Sequence, residues 1–228
     1  MKLICFTYAG GNSSFYDQLK KELLPDVELI AAEYSGHGKR HRSPFYSDFD
    51  ELADDMLTQI RGEIECNSPY AIMGYSMGCI SAIEVLRNLI DEKMPLPVHV
   101  FLAAHEPQTK AILADYNNEE MDDFVKARTI QFGAVPEKLI ENKSFWRMYL
   151  PIYRADYSII GKYKFENLKL KSDIPATVFY SENDTPFEDM KNWNKYFEII
   201  DFIRYTGNHF FINEHFCAMS QEIKKRLV

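Results

Sequence analysis

The sequence has little of what would place it in a membrane, on a nucleic acid or around a metal. Among its 228 residues no apolar run approaches the ~20 residues that a membrane-spanning helix needs, and the apolar stretch from Met1 to Tyr8 is too short for a signal peptide. Basic residues are outnumbered, 26 Lys and Arg against 34 Asp and Glu, for a formal net charge of −8 at pH 7. A nucleic-acid partner would need a dominant basic surface, which this balance excludes. Only four cysteines are present (Cys5, Cys66, Cys79 and Cys217). They show no paired spacing and read as core thiols of a reducing compartment, so a cytoplasmic protein is expected. His37 and His41 are four residues apart, but in a loop with glycines rather than on a helix face with a third ligand, so no metal site is expected. There is no phosphate-cradling Gly-x-x-x-x-Gly-Lys, no internal repeat and no sustained coiled-coil heptad. These absences leave a monomer without a cofactor as the expectation.

What is present is ordinary globular material, 46% hydrophobic and 26% charged, in a chain long enough for one large core. It is organised around Ala71-Ile72-Met73-Gly74-Tyr75-Ser76-Met77-Gly78-Cys79-Ile80. Tyr70 to Met73 is apolar and strand-like, and Cys79 to Ile90 has helical character. Between them, Gly-x-Ser-x-Gly puts a serine at the top of a strained strand-to-helix turn, with glycines where backbones would otherwise clash. Ser76 is therefore the candidate nucleophile. The Met77 N–H, at the start of the following helix, is placed to meet a developing oxyanion.

Along the chain, Lys2 to Thr7 reads as a strand buried on both faces, because it is apolar without alternation. It leads into Tyr8-Ala9-Gly10-Gly11-Asn12, which is either an ordinary glycine-rich turn or the loop that gives the second oxyanion donor, the Ala9 N–H. A helix is expected over Ser14 to Leu24, a strand over Val27 to Glu33 and an amphipathic helix over Asp48 to Glu65. The basic loop Lys39-Arg40-His41-Arg42 follows the second strand. It is either a solvated charge run or, with Arg40 and Arg42 on the same rim as Ser76, a contact for an acidic or phosphorylated partner. Val98 to Ala103 is a further strand. His105, just beyond it, follows a middle strand and is expected to be a loop or pocket-lining residue rather than the base. Residues 111–163 then switch to short helices over Glu119 to Phe132, Pro136 to Asn142 and Ser144 to Tyr157. They carry more apolar surface than they can bury among themselves, which fits a lid over an acyl pocket or plain docking onto the core.

Ile174 to Tyr180 resumes the strand pattern and ends near Asp184, a helix follows over Pro186 to Tyr196, and the last strand, Ile199 to Tyr205, is followed by His209. Serine, acid and histidine in that order lie after strands of one parallel sheet, which lets three strand-end loops converge. Asp184 would orient the His209 imidazole and His209 would take the proton of Ser76, with Glu182 and Asp189 as alternative acids. His215, on the terminal helix Glu214 to Leu227, reads as structural.

Taken together, these residues make the chain resemble the type II thioesterases that accompany polyketide synthases and non-ribosomal peptide synthetases. The likeness rests on Phe6-Thr7-Tyr8-Ala9-Gly10-Gly11, Gly74-Tyr75-Ser76-Met77-Gly78, Leu150-Pro151-Ile152-Tyr153-Arg154-Ala155-Asp156 and Gly207-Asn208-His209-Phe210-Phe211. It implies an α/β-hydrolase fold over residues 1–228. The sheet would be mostly parallel, with about six or seven strands, the second strand outside the first and the serine strand on the other side, and residues 111–163 would form a helical lid. It also implies Ser76, Asp184 and His209 as a triad, Ala9 and Met77 as oxyanion donors, and an acyl or peptidyl carrier protein bearing acyl-phosphopantetheine as partner. Two positions depart from the pattern. Tyr75 stands where histidine is usual, and would narrow or polarise the pocket wall; Asn208 replaces a common glycine. The alternatives are a medium-chain fatty acyl thioesterase or carboxylesterase on the same site, and a non-enzymatic synthase-binding partner.

Overall fold

The apolar runs without alternation become the strands of one sheet, and their neighbours explain the pattern. The computed structural model describes residues 1–64, 68–107, 116 and 118–228; Cys66 and residues 111–115 and 117 of the expected insertion lie outside them. The strands are β1 (Lys2–Phe6), β2 (Glu28–Ala31), β3 (Tyr70–Tyr75), β4 (Val100–Ala103), β5 (Ala176–Ser181) and β6 (Ile200–Tyr205). They pair in the order β2-β1-β3-β4-β5-β6, every pair parallel. The second strand thus lies outside the first, with the serine strand on its other side. β3, β4 and β5 are buried along their whole length, whereas the edge strands β2 and β6 are partly exposed.

Each strand feeds two cores. Leu3, Cys5, Met73 and Phe101 face one side, against α1 (Asp17–Leu23) and the terminal helix α7 (Ile212–Leu227). The alternate residues Ile4, Phe6, Ile72 and Leu102 face the other, against α2 (Phe49–Ile64) and α3 (Met77–Asp91). Apolar side chains are needed on both faces, so the period-two signal of a half-exposed strand disappears. Between β5 and β6 runs the short helix α6 (Phe187–Met190), extended by a 3-10 turn over Lys191–Lys195 rather than by one continuous helix.

The described part of residues 111–163 contains α4 (Asp122–Gln131), a 3-10 turn at Glu137–Leu139 and α5 (Lys143–Lys162). The last helix is longer than its sequence suggests. Asn142 caps it through its side chain, which accepts from the N–H groups of Ser144 and Phe145, each at 2.9 Å. It continues past Pro151 to Lys162 because its apolar face, including Leu150, Tyr153, Tyr157 and Ile159, is buried in the main core; packing outweighs local propensity here. Among the described residues no helix is long and apolar enough to cross a membrane.

Candidate active site

In a parallel sheet the loops at the carboxyl ends of the strands share one rim, and it is there that the chemistry-bearing residues collect. β3 runs directly into α3 through Ser76, whose backbone is held at φ 54° and ψ −120°, a conformation a non-glycine residue adopts only under constraint. The constraint is visible. The Ser76 N–H donates to the Ala103 carbonyl at 2.8 Å, and the Ser76 carbonyl accepts from the Cys79 N–H at 2.9 Å. The glycines on either side are steric requirements. A Cβ at Gly74 would lie 2.2 Å from the Gly78 carbonyl oxygen, and a Cβ at Gly78 would lie 2.1 Å from the Phe6 carbonyl oxygen. The motif is thus the sequence trace of three backbone segments in contact.

The Ser76 hydroxyl lies 2.9 Å from His209 Nε2, and His209 Nδ1 lies 2.9 Å from Asp184 Oδ1. With Asp184 ionised, Nδ1 carries the proton and Nε2 presents a lone pair to the serine. The side chains of His209 and Asp184 are 11% and 7% exposed, so the pair is shielded but reachable. Asp184 sits in the turn after β5, where the N–H groups of Asp184 and Thr185 both donate to the Ser181 carbonyl, at 3.1 and 2.9 Å. The Ser181 hydroxyl in turn donates to the Gly207 carbonyl, tying the acid's loop to the histidine's loop. Among the described residues no cysteine competes for the nucleophilic role nearby. Cys79 is fully buried, its thiol hydrogen-bonds toward the Gly74 and Ala103 carbonyls, and burial pushes its pKa up.

Ser76, Asp184 and His209 open onto a cavity of about 200 Å³, which Ala9 and Met77 also line. Ala9 follows β1, whose end is pinned by the Tyr16 hydroxyl on the Phe6 carbonyl at 2.8 Å and by the Tyr34 hydroxyl on the Thr7 carbonyl at 3.1 Å. The structure thus brings together Ser76, Asp184, His209, Ala9 and Met77. His105 also lines the cavity, where sequence position places it as a wall residue. Burial lowers its pKa, and the His209 ring adds to that against the opposing Glu106 charge, so His105 is neutral at pH 7. Its Nε2 and the Asp184 Oδ2 are buried without a hydrogen-bond partner among the described residues.

The structure does not bring Tyr75, Arg40 or Arg42 to the cavity wall. Tyr75 is fully buried behind the histidine. Its hydroxyl donates to the His209 carbonyl at 2.7 Å and its ring stacks on Phe210. Arg40 turns away to pair with Asp55 through two bonds of 2.6 and 3.0 Å and to donate to the Glu33 carbonyl at 2.9 Å. Arg42 is exposed. The sequence leads us to expect apolar surface from residues 111–163 over a pocket, and Phe132 lines the cavity; Arg128 and Tyr157, which line it too, were not singled out. The Arg128 guanidinium lies 5.1 Å from the Phe132 ring centroid and 5.9 Å from that of Tyr157. An arginine on a helix of low amphipathic contrast carries no local signal of this. The missed buried carboxylate is Asp156, at the end of the Arg154-Ala155-Asp156 stretch.

Comparison with known proteins agrees with this architecture. The family model of the thioesterase domain matches residues 1–227. The gramicidin S biosynthesis protein GrsT of Aneurinibacillus migulanus is 25% identical, with 100% of this chain and 89% of that protein covered. The medium-chain S-acyl fatty acid synthase thioesterase of Rattus norvegicus is 28% identical over 94% of this chain and 84% of its own length. Among solved structures, the thioesterase RedJ from the prodiginine biosynthetic pathway of Streptomyces coelicolor superposes with a TM-score of 0.88 at 24% identity, over 99% of this chain and 85% of that one.

Proposed function

Because the chain belongs to the thioesterase domain family, hydrolases that act on thioesters, we propose that it is a type II thioesterase that clears acyl groups from the phosphopantetheine arm of carrier proteins in a polyketide or non-ribosomal peptide synthase. The observation that carries the reading is the Ser76–His209–Asp184 chain of two 2.9 Å contacts at the mouth of the cavity. His209 Nε2 takes the Ser76 proton as Oγ attacks the thioester carbonyl, and Asp184 stabilises the imidazolium that forms. The Ala9 and Met77 N–H groups hold the oxyanion. The tetrahedral intermediate collapses, the C–S bond breaks, and the imidazolium returns its proton to the departing thiolate. Water, deprotonated by His209, then attacks the acyl-serine ester. The acid is released and Ser76 recovers its proton. Asp184, Glu182 and Asp189 were all available to the sequence; of these, the contact to His209 supports Asp184.

A cavity of about 200 Å³ is smaller than the ~300–1,000 Å³ usual for drug-sized ligands. Residues 118–163 supply one wall of this cavity, consistent with a lid. The carrier would be met on the rim outside it. The test is hydrolysis of acetyl and hexanoyl groups presented on a carrier protein, on coenzyme A and on a simple thiol. The expected result is a large preference for the carrier. Equal rates on all three, with hexanoyl preferred, would instead mark a general medium-chain thioesterase.

A further inference from the structure

The oxyanion loop is held from an unexpected direction. Gly11 N–H donates to the Tyr8 carbonyl at 3.0 Å, closing a tight turn with Ala9 and Gly10 at its centre. Gly10 has φ +78°, the value a type II turn requires at its third residue. The outward N–H of Gly10 donates to Asp156 Oδ2 on α5 at 2.6 Å. One turn earlier on the same helix, Tyr153 fills the space beside Gly10, where a Cβ would fall 2.0 Å from its ring. Hence α5 fixes both the face and the hydrogen bond of the Ala9–Gly10 peptide.

Asp156 has a second donor on the same oxygen, His37 Nε2 at 2.9 Å. His37 Nδ1 lies 2.8 Å from the Ser35 carbonyl, an acceptor. A neutral imidazole has one N–H and faces two acceptors here, so both nitrogens are satisfied only in the imidazolium. The side chains are 1% and 4% exposed. An ion pair this deep is retained at a desolvation cost, and one partner without the other leaves a buried charge unpaired. Burial alone would lower the His37 pKa, but the Asp156 charge and hydrogen bond, with smaller help from Ser35 and Glu33, raise it overall. The pair joins three segments: the loop after β1, the loop after β2 and the insertion helix.

We propose that Asp156, anchored by the His37 imidazolium, is a positioning residue that aims the Ala9 N–H at the thioester oxyanion, so that the insertion helix and the oxyanion hole are one unit. The inference rests on the serine mechanism proposed above. Neither side chain is among the cavity-lining residues, so neither contacts the acyl group. Their effect belongs to the transition state, in which charge on the carbonyl oxygen develops, and not to substrate binding.

The experiment compares the wild type with Asp156→Asn, His37→Gln and Ser76→Ala on one acyl thioester, together with binding of a trifluoromethyl ketone analogue, whose hemiketal oxygen occupies the hole. Removing an oxyanion donor outright costs about 100- to 1,000-fold in kcat; a misaimed donor should cost about 10- to 100-fold. Asp156→Asn is expected to lose kcat in that range with KM within about threefold, and to weaken ketone binding in parallel. His37→Gln, which keeps a neutral donor toward Asp156, is expected to lose less. Should Asp156→Asn fail to fold, His37→Gln carries the decision by the same split. A folded variant with unchanged kcat and unchanged ketone affinity overturns the proposal, as does a kcat loss with ketone affinity intact. Ser76→Ala separates the two levels. If it retains wild-type turnover the serine mechanism fails, whereas loss in Ser76→Ala beside a neutral Asp156→Asn refutes the positioning role alone.

Discussion

Replacing Tyr75 with Phe removes one hydroxyl and tests how the segment carrying the histidine is held. The hydroxyl of Tyr75 donates to the His209 carbonyl at 2.7 Å, and the ring is fully buried among Phe15, Phe210 and Phe211. Phenylalanine keeps those ring contacts, so the packing change is small. What is lost is the hydroxyl, so the His209 carbonyl loses a donor and the Ile212 N–H loses an acceptor, which costs about 1–3 kcal/mol. For a chain of this size that corresponds to a fall in Tm of roughly 2–4 °C per kcal/mol. The same bond fixes the backbone from which the imidazole projects, so kcat should fall several-fold while KM stays unchanged, because Tyr75 does not line the cavity. Thermal unfolding followed by circular dichroism, with steady-state hydrolysis of a short-chain thioester, measures both. A variant with wild-type Tm and kcat would refute the reasoning. A variant with altered KM or acyl preference would show that the ring reaches substrate after all.

Other sites give independent outcomes. Gly78→Ala would drive a Cβ to 2.1 Å from the Phe6 backbone oxygen, and a loss above about 3 kcal/mol or failure to fold is expected; a stable, active variant would contradict the packing described at the elbow. Arg40→Ala removes the two-bond pair with Asp55, and should lower stability by about 1 kcal/mol with KM within about twofold; a large KM increase at unchanged stability would restore Arg40 as a substrate contact. His99 donates to or accepts from Thr177 Oγ1 at 2.9 Å, and its pKa is lowered from 6.5 to about 4 by burial, with Arg226 adding and Asp201 opposing. Its neutral form is the folded one, so its stabilisation is complete above about pH 6.5 and is lost as pH falls toward 4. The stability gap between wild type and His99→Gln, from urea titrations, should shrink over that window; a constant gap would refute the assignment.

What the sequence made legible was whatever the fold demands locally. Strands buried on both faces must be apolar throughout, so Lys2 to Thr7 and Tyr70 to Met73 stand out. The two glycines around Ser76 mark backbone contacts that tolerate no side chain. The order of Ser76, Asp184 and His209 follows from the sheet, because successive strand ends share a rim. The rest was illegible for a physical reason. Asp156 and His37 are 119 residues apart, and their tie is a tertiary one that leaves no pattern along the chain. Arg40 was read among its charged neighbours because its partner, Asp55, lies across a loop and on a helix. Tyr75 was assigned to the pocket wall because it stands where histidine is usual in the resembled family, yet its ring is buried in the core against Phe210. The length of α5 was underestimated because its last turn depends on burying Ile159 in the main core, a tertiary contact.

The proposed mechanism requires Ser76 to carry the acyl group as an ester intermediate. Rapid quenching of the enzyme with an acylated carrier protein, followed by intact mass and peptide mapping, measures this directly. The predicted result is an acyl adduct on the peptide containing Ser76 that forms before free acid accumulates and is absent from Ser76→Ala, which also loses turnover by several orders of magnitude. An adduct on another residue, or Ser76→Ala turning over at the wild-type rate, would contradict it.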